Sequence, residues 1–418
     1  MRSPLSGHPA WREVAVAAVA LPLVITLAVM VFAWPAGRLA PRDVPVGIVG
    51  TGTASQHAVE GLVHEKPGAF DFHLYPDQQT ARSAIKNRDV YGAFVISGHS
   101  ITVLQASAAS TSVAQLLGQV GQQLADRATQ QATQQAVQQA TQQATQQGAT
   151  GPHSLTKTQK TQKAQKAQKA QKAQKAQKVQ KVNVKALDVV PVAAEDPRGV
   201  VFSSAVFPLT ICAILIGAFV TMARGLRRPW HRVLTLLIAC AAAGFGVYAV
   251  AQGFLGALPH DHVATWAVLS LVLISISATA AGLIRLVGPA GLGLSAALMV
   301  FVGNPFSGAT SAPEMLPKGV DHIGQWLPPG AGASLLRDTT YFDGNGGAGH
   351  LAVLALWSVC GLTAVMIGHW VTGEARGPKT GATASGELLP ALSGSDAASP
   401  TRRHAHAHAH ARRNDGDG

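Results

Sequence analysis

Apolar residues in this chain are gathered into long uncharged blocks that alternate with polar segments. A helix that crosses a bilayer needs about 20 mainly apolar residues. One block near the N-terminus and five in the second half approach that length. The fifth of these six blocks has a short apolar core, Ala290–Val302. The pattern predicts an α-helical integral membrane protein with six transmembrane helices, at 13–34, 200–222, 233–255, 263–284, 287–306 and 350–371.

The first block favours a retained membrane anchor. Its uncharged run, Val14–Trp34, is longer than the apolar core of roughly 7–15 residues in a signal peptide, which is the competing interpretation. Basic residues cluster at alternate ends of the predicted spans, as the positive-inside rule expects. This predicts that the N-terminal residues 1–12 and a disordered tail, 372–418, are both cytoplasmic. The regions 41–198 and 304–344 are then outside.

The region 41–198 contains no spanning block and predicts a small extracytoplasmic α/β domain. A helix capped by Asp77 is expected to run to Asn87. Ser112 and Gln115 are spaced as a capping box before a second helix. Further candidates are a weak helix at Ser55–Glu65 and strands at Val44–Val49, Phe70–Tyr75, Val90–Ile96, Ile101–Gln105 and within Val182–Val192.

A low-complexity insert, 128–181, interrupts this domain. It repeats Ala-Thr-Gln-Gln and then Gln-Lys-Ala, and neither repeat carries an apolar stripe. The prediction is a solvated, partly helical or disordered segment. The alternative is a polybasic arm for anionic lipid, cell-wall polymer or nucleic acid. Without ten lysines between Lys157 and Lys185 the formal net charge of +12 falls to +2, so the basicity is local and no nucleic-acid partner is predicted.

The stretch Asn304–Gly344, here called the broken segment, is rich in Pro and Gly and lies between the last two predicted spans. Its apolar pieces are too short to cross a bilayer. The residues alone leave two interpretations open, a loop on the membrane surface and a membrane-dipping element. In the second, prolines would interrupt short helices at shallow depth. The candidate residues are Asn304, Pro305, Pro313, Glu314, Pro317, Trp326, Pro328, Pro329, Arg337 and Asp338.

Chemistry-bearing motifs are sparse. No G-x-x-x-x-G-K-[ST] phosphate loop is present, so any ATP hydrolysis must come from another polypeptide. No charged residue lies in the middle of a predicted span, although ion-coupled carriers usually need one there. His260 with His262, and the tail histidines His404 to His410, are weighed as metal ligands, but a polar turn and low-complexity sequence explain them more simply. No cofactor, metal or catalytic residue is predicted, and the three cysteines are interpreted as packing residues.

The order of elements and several motifs resemble the ABC type-2 transporter permeases, in particular the branch of phage-infection proteins in bacterial membranes. The resemblance covers most of the chain outside the repeats and the tail. It is carried by VPVGIVG (44–50), VYGAFVIS (90–97), LQASAAS (104–110), NPFSGATSAPEMLP (304–317) and WLPPGAGASLLRDTTYFDG (326–344).

This resemblance implies a six-span permease in the bacterial cell membrane that dimerises, as a homo- or heterodimer, and couples to a cytoplasmic ATPase. By the same analogy, Arg224, Arg227, Arg228 and Arg232 would lie near the ATPase contact. The broken segment would be a re-entrant outer gate. The sequence thus favours the permease of an export system with an unknown substrate. The alternative is a membrane-anchored receptor or envelope-organising protein without transport activity.

Overall fold

The fold was obtained as a computed structural model. It describes residues 8–50, 52, 60–61, 66–97, 100–148, 181–197, 199–223, 225–226, 228–256 and 261–374. These residues belong to one compact unit, which ends at Ala375. In chain order the elements are α1 (His8–Gly37), β1 (Val44–Val49), β2 (Phe70–Tyr75), α2 (Gln78–Lys86), β3 (Gly92–Ser97), β4 (Ser100–Gln105), α3 (Thr111–Gly148), β5 (Asn183–Asp188), α4 (Val200–Met222), α5 (Pro229–Tyr248), α6 (His262–Val287), α7 (Ala290–Ala296), α8 (Val320–Gln325), α9 (Pro328–Tyr341) and α10 (Ala348–Glu374).

Within the described residues, five helices are long and apolar enough to cross a membrane: α1, α4, α5, α6 and α10. The predicted fifth span is shorter. The seven residues of α7 are followed by seven residues of π-helix, Ala297–Gly303. The span is short because a Gly288-Pro289 turn precedes it and the broken segment follows it. A π-helical stretch, Ala249–Phe254, also ends α5. The fold is that of a multi-pass membrane protein, as the blocks of apolar residues predict.

Helix α6 is the centre of the helical bundle and packs against α4, α5, α9 and α10. Small residues on α6, among them Ser275, Ala278 and Gly282, are fully or almost fully buried. A Cβ atom placed on Gly282 would lie 2.8 Å from the Cβ of Ala364, and one on Gly361 would meet the backbone of Ala278. Small residues on this face of α6 therefore let α6 and α10 approach closely.

The described residues between 44 and 188 form a mixed sheet with helices α2 and α3, called the α/β unit below. Its described strands lie in the order β2-β1-β3-β4-β5, with β3 and β4 antiparallel and the other pairs parallel. Strands β1 and β2 have the predicted bounds. Strand β5 returns to the sheet after the low-complexity insert and pairs with β4 in register Ser100 with Asn183. Asp77 caps α2 by accepting a hydrogen bond from the N–H of Thr80, as predicted.

One local expectation needs correction. The capping box at Ser112 is wrong: α3 begins at Thr111, and the hydroxyl of Ser110 accepts the N–H of Val113. The Ala-Thr-Gln-Gln repeat continues α3 as helix through Gly148, because Ala and Gln favour helix and the first turns of α3 are fixed on the sheet. The Gln-Lys-Ala repeat and almost all of the weak helix at Ser55–Glu65 lie outside the described residues.

Candidate functional site

The broken segment is built from three short helices that begin at or soon after prolines. Pro313 opens a single 3-10 turn, Pro313–Met315, and Pro317 precedes α8. Pro328 and Pro329 form the first turn of α9, where the missing N–H groups of proline would have had no helical partner. The prolines therefore divide the segment into short helices, as the sequence predicts.

Helix α9 is packed inside the protein. All of its residues except Leu336 and Tyr341 are buried. A Cβ atom on Gly332 would lie 2.7 Å from a methyl group of Val272 on α6, and one on Gly303 would lie 2.7 Å from the ring of Pro329. The end of α7 and the middle of α6 thus hold α9 in place through close backbone contacts.

Where the broken segment meets the α/β unit and α10, six polar side chains form what we call the polar joint. They are Arg88, Tyr91, Glu314, Arg337, Asp338 and His350.

Asp338 occupies the centre of the polar joint. Its side chain is 1% exposed, and its two oxygens face different parts of the fold. Oδ1 lies 3.0 Å from Nε of Arg88, on the turn between α2 and β3, and Oδ2 lies 3.2 Å from Nδ1 of His350 on α10. The Arg88 guanidinium also lies over the ring of Phe342, 4.9 Å from its centroid. One buried carboxylate therefore connects the α/β unit, the broken segment and the last span.

Tyr91 provides a second connection. Its hydroxyl donates a hydrogen bond of 2.7 Å to Oε2 of Glu314. Burial, followed by the nearby charge of Glu314, raises the pKa of Tyr91, so the hydroxyl stays protonated and remains a donor.

Arg337 completes the joint on the α9 side. The residue is 7% exposed, and its guanidinium donates to the carbonyl of Ala309 at 3.1 Å. Burial, and then the neighbouring charge of Arg88, lowers the pKa of Arg337 to about 10, so it stays cationic at neutral pH. Its charge is offset by Asp338 and Glu314, which both act in the opposite direction on its pKa.

Backbone contacts reinforce the same junction. The N–H of Ala40 donates to the carbonyl of Met315, and the N–H of Arg42 donates to that of Glu314, both at 3.0 Å. The Arg42 side chain also donates to the carbonyl of Met315 at 2.9 Å. Ala312 and Phe342 of the broken segment are buried in the hydrophobic core of the α/β unit. The chain after α1, the sheet and the broken segment therefore share one packed boundary.

The structure brings together three of the predicted gate residues, Glu314, Arg337 and Asp338. Asn304 lies apart from them and accepts a hydrogen bond from Thr210 of α4 at 3.2 Å. Trp326 is largely exposed, and its carbonyl accepts from the indole of Trp357 at 2.8 Å. Sequence reasoning missed Arg88, Tyr91 and His350, because nothing in the local pattern indicates that they meet the broken segment.

The predicted arginine loop lies at the other end of α4. Arg224 and Arg227 are outside the described residues, and Arg228 is exposed just before α5. Arg232 donates to the carbonyls of Leu226 at 2.6 Å and Thr221 at 2.9 Å. The second of these bonds satisfies a carbonyl at the C-terminus of α4, where a cation is favourable.

Ligating groups do not gather into a metal site in the described part of the chain: no cluster of three or more His, Cys, Asp or Glu side chains occurs there. His260 and the tail histidines are outside this part. In the polar joint, cationic side chains are already paired with carboxylates. This arrangement suits contacts between the α/β unit, the broken segment and α10 more than the binding of an ion.

Comparison with known proteins gives one match. The model of the family described as ABC-2 family transporter protein matches residues 14–367, which include the spanning helices, the α/β unit and the broken segment. No curated protein and no solved structure matches the chain.

Proposed function

The chain belongs to the ABC-2 transporter family, and from this premise we propose that it is the membrane permease subunit of an ABC export system. A separate ATPase supplies the energy, since the sequence has no phosphate-binding loop. The observation that carries the proposal is the family match, which extends across the helical bundle and the α/β unit together. The uncharged middle sections of the spans agree with a transporter driven by an external motor and not by an ion gradient.

We place the α/β unit and the broken segment outside a bacterial cell membrane, with both termini in the cytoplasm. The basic residues at the ends of α4, α5 and α6 support this orientation, because they lie at the ends away from the α/β unit. In this arrangement α7 with its π-helical end is a sixth, short span. The broken segment is then the re-entrant outer gate, which the burial of α9 against α6 supports.

The loop with Arg224, Arg227, Arg228 and Arg232 is the proposed contact for the ATPase. Arg228 is exposed, whereas Arg232 is held by carbonyls of α4 and of the loop. A cytoplasmic partner with an acidic surface would therefore meet the exposed charge of Arg228. The permease works as a homo- or heterodimer in this proposal, as two ATPase subunits act together.

Affinity purification from native membranes tests the proposal. The full chain, extracted in mild detergent, is expected to bring down an ATPase subunit. A variant in which Arg224, Arg227 and Arg228 are all changed to Ser should lose that partner. The matched control changes the tail residues Arg402, Arg403 and Arg412 to Ser and should retain it. Recovery of no ATPase with the unchanged chain in several detergents would count against a permease.

A receptor or envelope-organising protein is the second candidate. Helix α3 favours it, because this helix extends past the sheet through Gly148 and leads into the lysine repeat. Deletion of 128–181 followed by binding to cell-wall or anionic-lipid preparations tests it. Unchanged binding would show that the repeat is not the contact.

A further inference from the structure

A cavity of about 220 Å³ lies between α1, α4 and the start of the broken segment. We call it the α1–α4 cavity. Its walls include Phe32 within the span of α1 and Leu39 after it, Ser203 and Phe207 on α4, and all residues of 304–311 except Phe306. The last stretch contributes serine and threonine hydroxyls as well as backbone groups. The cavity is thus apolar toward the helices and polar toward the broken segment.

No ionisable side chain of the described residues lines the α1–α4 cavity. Arg337 lines a smaller neighbouring cavity that shares Ser203 and Ser311 with it. This guanidinium already donates to Ala309 and lies beside Asp338. A ligand with a net charge in its head group would therefore find no dedicated counter-charge in the α1–α4 cavity.

A second cavity, of about 60 Å³, continues from the first on the other side of Val206. It is lined almost entirely by apolar side chains of α4, α5, α6 and α9, among them Leu209, Leu269 and Val272. Val206 lines both cavities and therefore forms the partition between them. The α1–α4 cavity and the apolar cavity are therefore adjacent, and α9 forms one wall of the apolar cavity.

Helix α1 leaves this side of the protein open to lipid. Phe32 contacts Phe207 and Phe301 edge to face, with centroid distances of 6.2 Å in both pairs. Elsewhere on the described side chains of α1, large apolar residues such as Leu23 and Met30 are more than half exposed. A molecule dissolved in the bilayer could reach the α1–α4 cavity by displacing Phe32 from these two ring contacts.

We propose that the two cavities form a binding site for an amphipathic lipid with an uncharged, hydroxyl-rich head group. The head group binds in the α1–α4 cavity, where hydroxyls and backbone groups form hydrogen bonds with it, and an acyl chain enters the apolar cavity past Val206. The inference rests on the proposed permease function and names the substrate class for it. It also gives α9 a role, since this helix forms one wall of the apolar space.

Photo-crosslinking of the full chain in lipid nanodiscs tests this proposal. The probes are two diacylglycerol derivatives with the same diazirine-bearing acyl chain, one with a glucosyl head group and one with a phosphate head group. The glucosyl probe is expected to label peptides of α4 and α9. Val206→Trp, which fills the partition, should lower that labelling about tenfold. The control Leu215→Trp, on the exposed face of the same helix, should not change it.

Ser203→Ala provides a variant that leaves the packing almost unchanged and removes one hydroxyl from the cavity wall. It should reduce the preference for the glucosyl over the phosphate probe severalfold while general labelling persists. Equal labelling by both probes, or equal labelling of Val206→Trp and Leu215→Trp, would overturn the lipid site. ATPase recovery, measured on the same samples, reports separately on the permease proposal, so the two can fail independently.

Discussion

Around α6, helices meet through glycine, alanine and serine, whereas the boundary between the broken segment and the α/β unit is built from buried charges. Gly282 and Gly361 bring α6 and α10 to backbone contact without any ion pair. In the polar joint, Asp338 lies between Arg88 and His350, and Tyr91 donates to Glu314. Both regions are buried, yet they use opposite chemistry.

The difference has a physical consequence for motion. Many short contacts stabilise the close packing of helices through small residues. A shift of one helix to a second position would lose all of these contacts. A buried ion pair adds little net stability to the fold, because both ions lose their hydration. Removal of one partner is nevertheless strongly destabilising, because the other charge stays buried without compensation. The helices around α6 therefore suit a fixed frame, whereas the polar joint depends on each of its charged partners.

Removal of the central carboxylate should have the largest effect. Asp338→Asn leaves Arg88 and Arg337 buried without their nearest full counter-charge, and we expect the free energy of unfolding to fall by about 3–5 kcal/mol. Thermal unfolding in detergent measures it, with the exposed neighbour Asp343→Asn as the control. Combination with Arg88→Met should cost less than the sum of the two changes. An additive pair would mean that the two side chains do not interact.

A larger side chain between α6 and α10 tests the opposite chemistry. Gly361→Leu must push against the backbone of Ala278, and we expect a loss of about 1–3 kcal/mol or failure to assemble. Gly246→Leu on α5 is the matched control, because no atom lies within 4 Å of its Cβ position. The two variants are compared by monodispersity and melting temperature in the same detergent. Equal stability would show that the small-residue contact is not tight.

Loss of the Tyr91 hydroxyl should have a smaller effect. Tyr91→Phe removes the donor to Glu314 and should destabilise by about 1–3 kcal/mol, since a partly buried carboxylate loses a partner. The raised pKa of Tyr91 also predicts that the stability depends on pH. The unchanged protein should lose stability as the pH rises above 10.0, the ordinary pKa of tyrosine, and the variant should lose less over that range. Parallel loss in both proteins would contradict a role for this hydroxyl.

The surface pair next to the joint gives the smallest expected change. Lys318 lies 3.2 Å from Asp43, but both side chains are mostly exposed. Lys318→Ala should therefore change the stability by at most about 1 kcal/mol, and added salt should remove the difference. A melting curve at low and high salt measures this. A loss as large as that of Asp338→Asn would mean that burial does not distinguish the two ion pairs.

The sequence by itself determines where the long helices lie and which residues begin many of them. Span length and absence of charge are local properties, so α4 has the predicted bounds Val200–Met222, and alternation locates β1 and β2 in the same way. Asp77 at the start of α2 and the prolines of the broken segment act within one turn of their own position. The capping box at Ser112 failed even though Gln115 completes its pattern, because the helix begins at Thr111 and the Ser110 hydroxyl caps it without a Glu or Gln three residues later.

Tertiary structure alone decided which polar residues meet. Tyr91 and Glu314 are separated by 223 positions, and no periodicity connects them. The short apolar pieces of the broken segment likewise do not reveal that α9 packs against α6, α10 and the π-helical stretch after α7, because burial depends on neighbours from elsewhere in the chain. Hydrophobic pattern sets the elements, whereas the placement of buried charge and of cavities follows from the geometry in which those elements pack.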